Sequence, residues 1–395
     1  MKILIVTPRY YPEGFSFHTM AEAWAKEGHD VLVVTDKPNY GFGRVLPEYR
    51  HVSDEVINGV RVHRCPSFAR KDSRVSIIAN YLSYYLSCKH YLGHLKEHFD
   101  VVYSFQLSPV ISISGANVYA KKHKVRHVLH CLDLWPESVI STEVMSKKSL
   151  GYKTLYHWSR LIYRKADEIL VSSPSFKGYF RDVLKLPETN VTYVPQPPYI
   201  VKKAGEDFKY PCKNAFLYAG NIGTLQLVEN LIKAFSSLPS EVDATLYIIG
   251  MGSHQKKAEE LSKAPDAKGR VVYLGQKNRQ ETARYYGNAA GVIVSLAHKG
   301  YVGSTIPNKL ISSLYYEKAI LGVIEGDGRK VLEETGGAIL SKGEDPASIK
   351  EAVISFLKLS EDERKEMGKR NKAYFLENLS FASCKERISE HLKKQ

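Results

Sequence analysis

Where a loop hands the chain to a helix, the run Gly303-Ser304-Thr305-Ile306-Pro307-Asn308-Lys309-Leu310-Ile311-Ser312-Ser313-Leu314 sets Lys309 and Asn308 in the first helical turn. A buried strand is expected just before it, over Gly291–Leu296. A lysine at such a helix start suits phosphate, because free backbone N–H groups and the positive end of the helix dipole attract the same anion. An ordinary capped loop reads the same way, so its neighbours decide. Gly14, the Gly220-Asn221-Ile222-Gly223 turn, Gly250-Met251-Gly252 and Gly275 with Gln276 and Lys277 each follow a predicted strand. One such glycine is conformational need; four at matching places support a nucleotide-sugar or dinucleotide site. The G-x-G-x-x-G fingerprint is absent from the first turn and no P-loop lysine motif occurs, so hydride and phosphoryl transfer lose ground.

A second candidate pair is His130 and Asp133, at the carboxyl end of the strand expected over His127–His130. Asp133 suits the orientation of sugar hydroxyls, or alternatively a helix cap before Pro136. His130 is either its hydrogen-bonding neighbour or a satisfied structural histidine. The five cysteines are scattered without a C-x-x-C pair, and no Asp-x-Asp occurs. The sequence therefore predicts a reducing compartment, no disulfide framework and no metal site.

These residues need two frames to position them, and 395 residues with 44% hydrophobic content provide for two domains. Apolar runs at Ile3–Thr7, Asp30–Thr35, Val60–Arg64, Asp100–Ser104, His127–His130, Glu168–Ser172 and Val191–Val194 read as strands. Helical spacing at His18–Glu27, Ser76–His98, Ser112–Lys122 and Leu150–Ala166 falls between them. After Pro195-Gln196-Pro197-Pro198 the alternation restarts with six strands, from Phe216–Ala219 to Gly337–Leu340. The expected class is α/β: two Rossmann-like, doubly wound domains facing a cleft, residues 1–196 and 197–380, with a closing helix over 381–395 that returns to the first.

The net charge of +14 is shared, with 26 basic against 18 acidic residues through Gln196 and 30 against 24 after it. Such a balance calls for an anionic partner: nucleic acid, anionic lipid or a phosphorylated substrate. No nucleic-acid recognition motif appears. Arg61, Arg64, Arg70, Lys71 and Arg74 precede a helix carrying Tyr81, Tyr84, Tyr85 and Tyr91. A cationic stretch beside an aromatic helix is how peripheral proteins reach anionic lipid, and core burial of those tyrosines is the competing reading. Lys121, Lys122, Lys124 and Arg126 form another cluster, and Lys147, Lys148 and Lys153 a third. The opening Lys2–Val6 is too short for a signal-peptide core, so the protein is expected in the cytoplasm, peripheral on the membrane face.

Several motifs then converge. Tyr11-Pro12-Glu13 with Gly14, Pro38-Asn39-Tyr40, Asn58-Gly59-Val60-Arg61-Val62-His63-Arg64, Asp133-Leu134-Trp135-Pro136-Glu137-Ser138, Tyr163-Arg164-Lys165-Ala166-Asp167, Tyr218-Ala219-Gly220-Asn221 and Ile306-Pro307-Asn308-Lys309-Leu310 follow one another nearly end to end. Together they resemble the family-four retaining glycosyltransferases of GT-B fold, in the branch of amino-sugar and fucosamine transferases that builds bacterial surface polysaccharide. The resemblance implies transfer of a sugar from a nucleoside diphosphate, UDP above all, to a lipid-linked or saccharide acceptor, with retention and without metal or other cofactor. It assigns donor binding to Gly14, Gly220, Asn221, Gly223, Gly250, Gln276, Lys277, Ser304, Asn308, Lys309 and Ser312, with Lys309 on the diphosphate. It assigns catalysis to Asp133 and His130, and the acceptor and membrane side to Arg64, Arg70, Lys71, Arg74, Tyr81 and Tyr85. Two departures stand out. Ser304 and Ser312 occupy positions where many relatives carry glutamates, and Asn221 and Gln226 stand for an arginine and a lysine. A catalytically silent homologue acting as an assembly partner is the alternative these departures raise.

Overall fold

The computed structural model describes residues 1–13, 17–71, 73–141 and 145–393. The chain divides into two compact units, Met1–Pro197 with Cys384–Gln395, and Pro198–Ser383. In the first unit, strands β1 (Lys2–Val6), β2 (Asp30–Asp36), β3 (Asp54–Ile57), β4 (Val60–Cys65), β5 (Val101–Gln106), β6 (His127–Cys131), β7 (Glu168–Val171) and β8 (Val191–Tyr193) form one sheet. Its order is β3-β4-β2-β1-β5-β6-β7-β8, parallel except for β3, which runs antiparallel to β4. The central strands are apolar on both faces because helical crossovers cover both; Ile3 pairs with Val31 on one side and Val101 on the other. Those crossovers are α1 (Phe17–Lys26), α2 (Arg74–His94), α3 (Ser114–His123) and α4 (Leu150–Tyr163). Ser73 caps α2 and Ser149 caps α4, each side chain accepting the N–H three residues on.

The second unit repeats the plan. Strands β9 (Ala215–Ala219), β10 (Thr245–Ile249), β11 (Val271–Tyr273), β12 (Gly291–Leu296), β13 (Ile320–Ile324) and β14 (Ala338–Leu340) are all parallel, in the order β11-β10-β9-β12-β13-β14. Helices α5 (Val228–Ser236), α6 (Gln255–Ser262), α7 (Arg279–Gly287), α8 (Asn308–Tyr315), α9 (Gly326–Thr335), α10 (Pro346–Leu357) and α11 (Glu361–Tyr374) connect them or follow them. Phe216, Leu246, Ile248, Leu321 and Phe356 are fully buried in its core. Strand order reverses beside β1 in one unit and beside β9 in the other, and a crevice opens at the carboxyl ends of such strands.

The closing helix α12 (Phe381–Lys393) is tied to the first unit from Cys384 onward. Ser389 Oγ accepts from the buried Trp24 Nε1 at 2.9 Å, Lys385 pairs with Glu27, and His391 Nδ1 meets Glu168 at 2.6 Å. Strand β3 and helix α9 lie outside the sequence expectation. Strand β3 (Asp-Glu-Val-Ile) is an edge strand only half-buried, so it needs no apolar run. Helix α9 opens on Gly326-Asp327-Gly328, residues of low helix propensity.

Candidate functional site

The second unit holds a cavity of about 390 Å³ at the carboxyl ends of β9 and β10. Of the expected donor residues, Gly220, Asn221, Gly250, Gln276, Lys277, Lys309 and Ser312 line it. Gly250 has φ +154°, and a Cβ there would stand 1.8 Å from the Gly220 carbonyl oxygen. Only glycine lets these two turns approach so closely. Asn221 Nδ2 donates to Gln226 Oε1 at 3.1 Å, so the two amides that replace a cationic pair hold each other. Lys309 extends to Tyr218, its Nζ 3.3 Å from the phenol oxygen and 4.8 Å from the ring centre. Burial pushes its ammonium down from 10.5 to about 7.

Three expected donor residues are placed elsewhere, and one lies outside the described residues. Gly223 sits in the turn, where a Cβ would be 2.9 Å from Gln226 Oε1. Ser304 is not in the lining; its hydroxyl donates to Gly300 O at 3.1 Å. Asn308 is exposed at the first position of α8. Gly14 is outside the described residues.

Tyr199, Arg279, Tyr286 and Tyr316 also line it, and sequence reasoning missed all four. The Arg279 guanidinium lies 3.9 Å from the Tyr199 ring centre, and Tyr286 stacks on Tyr316 at 4.1 Å. Tyr316 Oη donates to Val201 O at 2.9 Å, fixing the strand of chain that carries Tyr199. An Asn278–Glu281 capping box opens α7 one residue before Arg279, and that motif was the one local signal available. Lys277, Arg279 and Lys309 thus line a cavity into which no lining carboxylate enters.

In the first unit, Asp133 is half-buried. Its Oδ2 accepts from Ser108 Oγ at 2.9 Å, and that hydroxyl in turn accepts from Trp135 Nε1 at 2.9 Å. Burial raises its carboxyl above the usual range while the Ser108 bonds pull the other way. Of its two expected readings, His130 takes that of a satisfied structural histidine and not that of Asp133's hydrogen-bonding neighbour. It is fully buried, its Nε2–H donates to Val194 O at 3.1 Å, and its Nδ1 accepts from Tyr103 Oη at 2.8 Å. Both nitrogens are spent.

Burial holds His130 neutral, down from 6.5 to about 4, and His127 likewise to about 3. The unfolded chain then binds more protons than the folded one as pH falls below 6.5. Stability present at neutral pH is therefore lost on acidification towards 4, at up to about 1.4 kcal/mol per pH unit for each histidine. Urea melts at stepped pH should show this slope, and a His130→Gln variant should show a shallower one.

The acceptor-side residues divide. Arg64 is fully buried, correcting its assignment as a surface cation: it pairs with Glu55 on β3 and donates to Tyr11 O at 2.6 Å. Arg70 is half-buried, donating to Tyr81 Oη at 2.9 Å, with its guanidinium 5.0 Å from the Tyr40 ring centre. Lys71 and Arg74 are exposed, and Tyr81 and Tyr85 are half-buried. A buried polar network at the ends of β1 and β2 went unforeseen. Glu13 Oε1 accepts the N–H groups of Asn39 and Tyr40 at 2.8 and 2.6 Å, and Arg9 lies 3.7 Å from Glu13 and 3.5 Å from Asp36. The Tyr-Pro-Glu and Pro-Asn-Tyr motifs are therefore two halves of one clasp.

Comparison with known proteins agrees with this architecture. Residues 14–197 match the glycosyl transferase 4-like domain, and residues 203–374 match the glycosyl transferases group 1 family. A glycosyltransferase of Methanocaldococcus jannaschii is 25% identical over 99% of this chain and 97% of its own length. Anabaena HepE, solved with UDP and glucose, superposes with a TM-score of 0.67 at 12% identity, covering 100% of both chains. WaaG, a glycosyltransferase involved in lipopolysaccharide biosynthesis, gives 0.66 at 14% identity, also over 100% of both. The chain is a glycosyltransferase of GT-B fold, with a glycosyl transferase 4-like domain followed by a group 1 domain.

Proposed function

We propose that the protein moves a sugar, an N-acetylamino sugar among the candidates, from a UDP-linked donor to a lipid-linked or saccharide acceptor in surface-polysaccharide synthesis. The observation that carries this is the cavity at the ends of β9 and β10, where Lys277, Arg279 and Lys309 face no lining carboxylate. A diphosphate is the ligand such a charge balance favours. HepE, in its complex with UDP and glucose, and WaaG, in lipopolysaccharide biosynthesis, support the donor and the pathway class by likeness of fold.

In this reading Lys309 and the N–H groups at the start of α8 stabilise the diphosphate as it leaves. The departing phosphate takes the acceptor proton on the same face, so retention needs no second protein carboxylate. Asp133 orients a sugar hydroxyl, and the Ser312 hydroxyl, in the cavity lining, takes over from the glutamate of relatives at the ribose. Work proceeds at the cytoplasmic face of the membrane, where the acceptor lipid is held.

With cations balancing the diphosphate, transfer is expected to continue in excess EDTA. Loss of transfer that magnesium or manganese restores would refute the metal-free reading. Screening UDP-sugars for UDP release and determining the anomer of the product by NMR tests the rest. Tight UDP binding with no turnover on any donor and acceptor pair would favour the silent assembly partner.

A further inference from the structure

A trough of about 1150 Å³ runs along the helical layer of the first unit. Its shape follows from one short helix between two longer ones. α3 packs against α2, with Gly115 at the contact: a Cβ there would come within 2.8 Å of Leu92 and 3.1 Å of Cys88 Sγ. On its other side Asn117 Nδ2 donates to Ile162 O of α4 at 3.1 Å. α3 therefore lies low, and α2 and α4 stand as walls.

The walls are apolar and face outward. On α2 the aliphatic side chains Val75, Ile78, Leu82 and Leu86 are exposed, at 78, 57, 44 and 60%, and their spacing puts them along one stripe. The tyrosines of the same helix are the buried or half-buried set, with Tyr84 at 2%. α4 answers with Leu150, Trp158 and Leu161. The far end of the trough is cationic. Lys89, Lys121, Lys122, Lys124 and Lys165 line it, none of them ion-paired among the described residues, against the single lining carboxylate Asp167. That carboxylate is engaged, accepting the His127 N–H at 2.8 Å.

We infer that this face, spanning α2, α3 and α4, is where the protein docks on an anionic lipid bilayer. Apolar stripes with unpaired lysines between them match the boundary of headgroup and acyl chain, where the stripe enters and the ammonium groups meet phosphate. A second copy is disfavoured by charge, since it would bring the same lysines of a +14 chain together. No helix among the described residues is long and apolar enough to cross a membrane. The inference deepens the proposed function, on which its biological sense rests, and moves the contact from Arg70, Lys71 and Arg74 to the lysines beyond Tyr85.

Co-sedimentation of the full chain with phosphatidylglycerol-containing vesicles and with pure phosphatidylcholine vesicles tests it, with UDP affinity measured on each protein by calorimetry. Wild type should bind the anionic vesicles, lose binding in high salt, and ignore the neutral ones. The K121S/K122S/K124S variant should bind about 100-fold more weakly, and L82S/L86S should also lose binding, while both keep wild-type UDP affinity. K71S/R74S should bind nearly as wild type. Wild type that fails to sediment, or lysine and leucine variants that sediment like it, would overturn the inference. Self-association of wild type abolished by L82S/L86S would also overturn it and give the face to a second copy. Vesicle binding without UDP binding would instead strike the proposed function and leave the docking face standing.

Discussion

Replacing Lys309 with alanine weakens binding of a UDP-sugar by roughly 10- to 150-fold, the loss of about 1.5–3 kcal/mol expected when a charge-assisted contact disappears. The size follows from the position of Lys309, which lines the cavity beside the turn glycine Gly220 and has no carboxylate among its lining neighbours. The same burial gives the interaction a pH dependence. Burial brings the Lys309 ammonium down to about 7, so it titrates in the neutral range in the free protein. A bound diphosphate holds that proton, so affinity is greatest below pH 7 and declines as pH rises through 7 towards the higher value in the complex. A sugar-linked diphosphate does not titrate there, so the change reports the protein. Folding responds in the opposite sense. Between about 7 and 10.5 the unfolded chain binds more protons than the native one, so the lysine costs stability at neutral pH, and the cost fades as pH rises through that window and is gone above 10.5. Lys309→Met is accordingly expected to raise the urea midpoint at pH 7 while abolishing the pH dependence of donor affinity. Calorimetry across pH 6 to 9 with both variants checks this. Wild-type affinity in Lys309→Ala would remove the lysine from the donor site.

Gly250→Ala strikes the same cavity through the backbone. A methyl group 1.8 Å from the Gly220 carbonyl oxygen cannot stay there, so one of the two turns must move. Strain of about 1–3 kcal/mol is expected in the second unit. A displacement near 1 Å at the groups that hold a reacting ligand costs on the order of 100-fold in rate. Urea melts and donor turnover measured together should show both losses. Turnover at the wild-type level would mean that the β9 and β10 turns do not set the site.

The parallel strands were legible because burial on both faces writes them as uninterrupted Val, Ile and Leu. Strand β3 was not, and that one omission carried further. Glu55 lies on β3, so the carboxylate that claims Arg64 was absent from any reading of charge along the chain. His130 stayed between two readings for a related reason. At the end of a buried strand a histidine points either into solvent or into the sheet's packing, and only the partners on β5 and beyond β8 decide it. In the cavity, the lysine and glycines announced themselves through their turns, whereas Arg279 takes its place from Tyr199, which lies far from it in sequence. The exposed stripe of α2 was hidden in the same way, since aromatic residues drew attention on a helix whose aliphatic ones face outward.

The return of α12 to the first unit sets an order on biosynthesis. Cys384 to Lys393 leave the ribosome only after the whole second unit, yet Trp24, Glu27 and Glu168, made long before, wait for partners on that helix. At bacterial and eukaryotic elongation speeds of about 5–20 residues per second, the intervening second unit takes roughly 10–40 s to appear. During that interval the nascent first domain exposes the seat of α12, a ready surface for chaperones. The second unit, contiguous in the chain, has no such wait. Domain exchange between relatives carries the same consequence: the second unit cannot be swapped as a simple tail, because Cys384–Lys393 must come from the first unit's own parent.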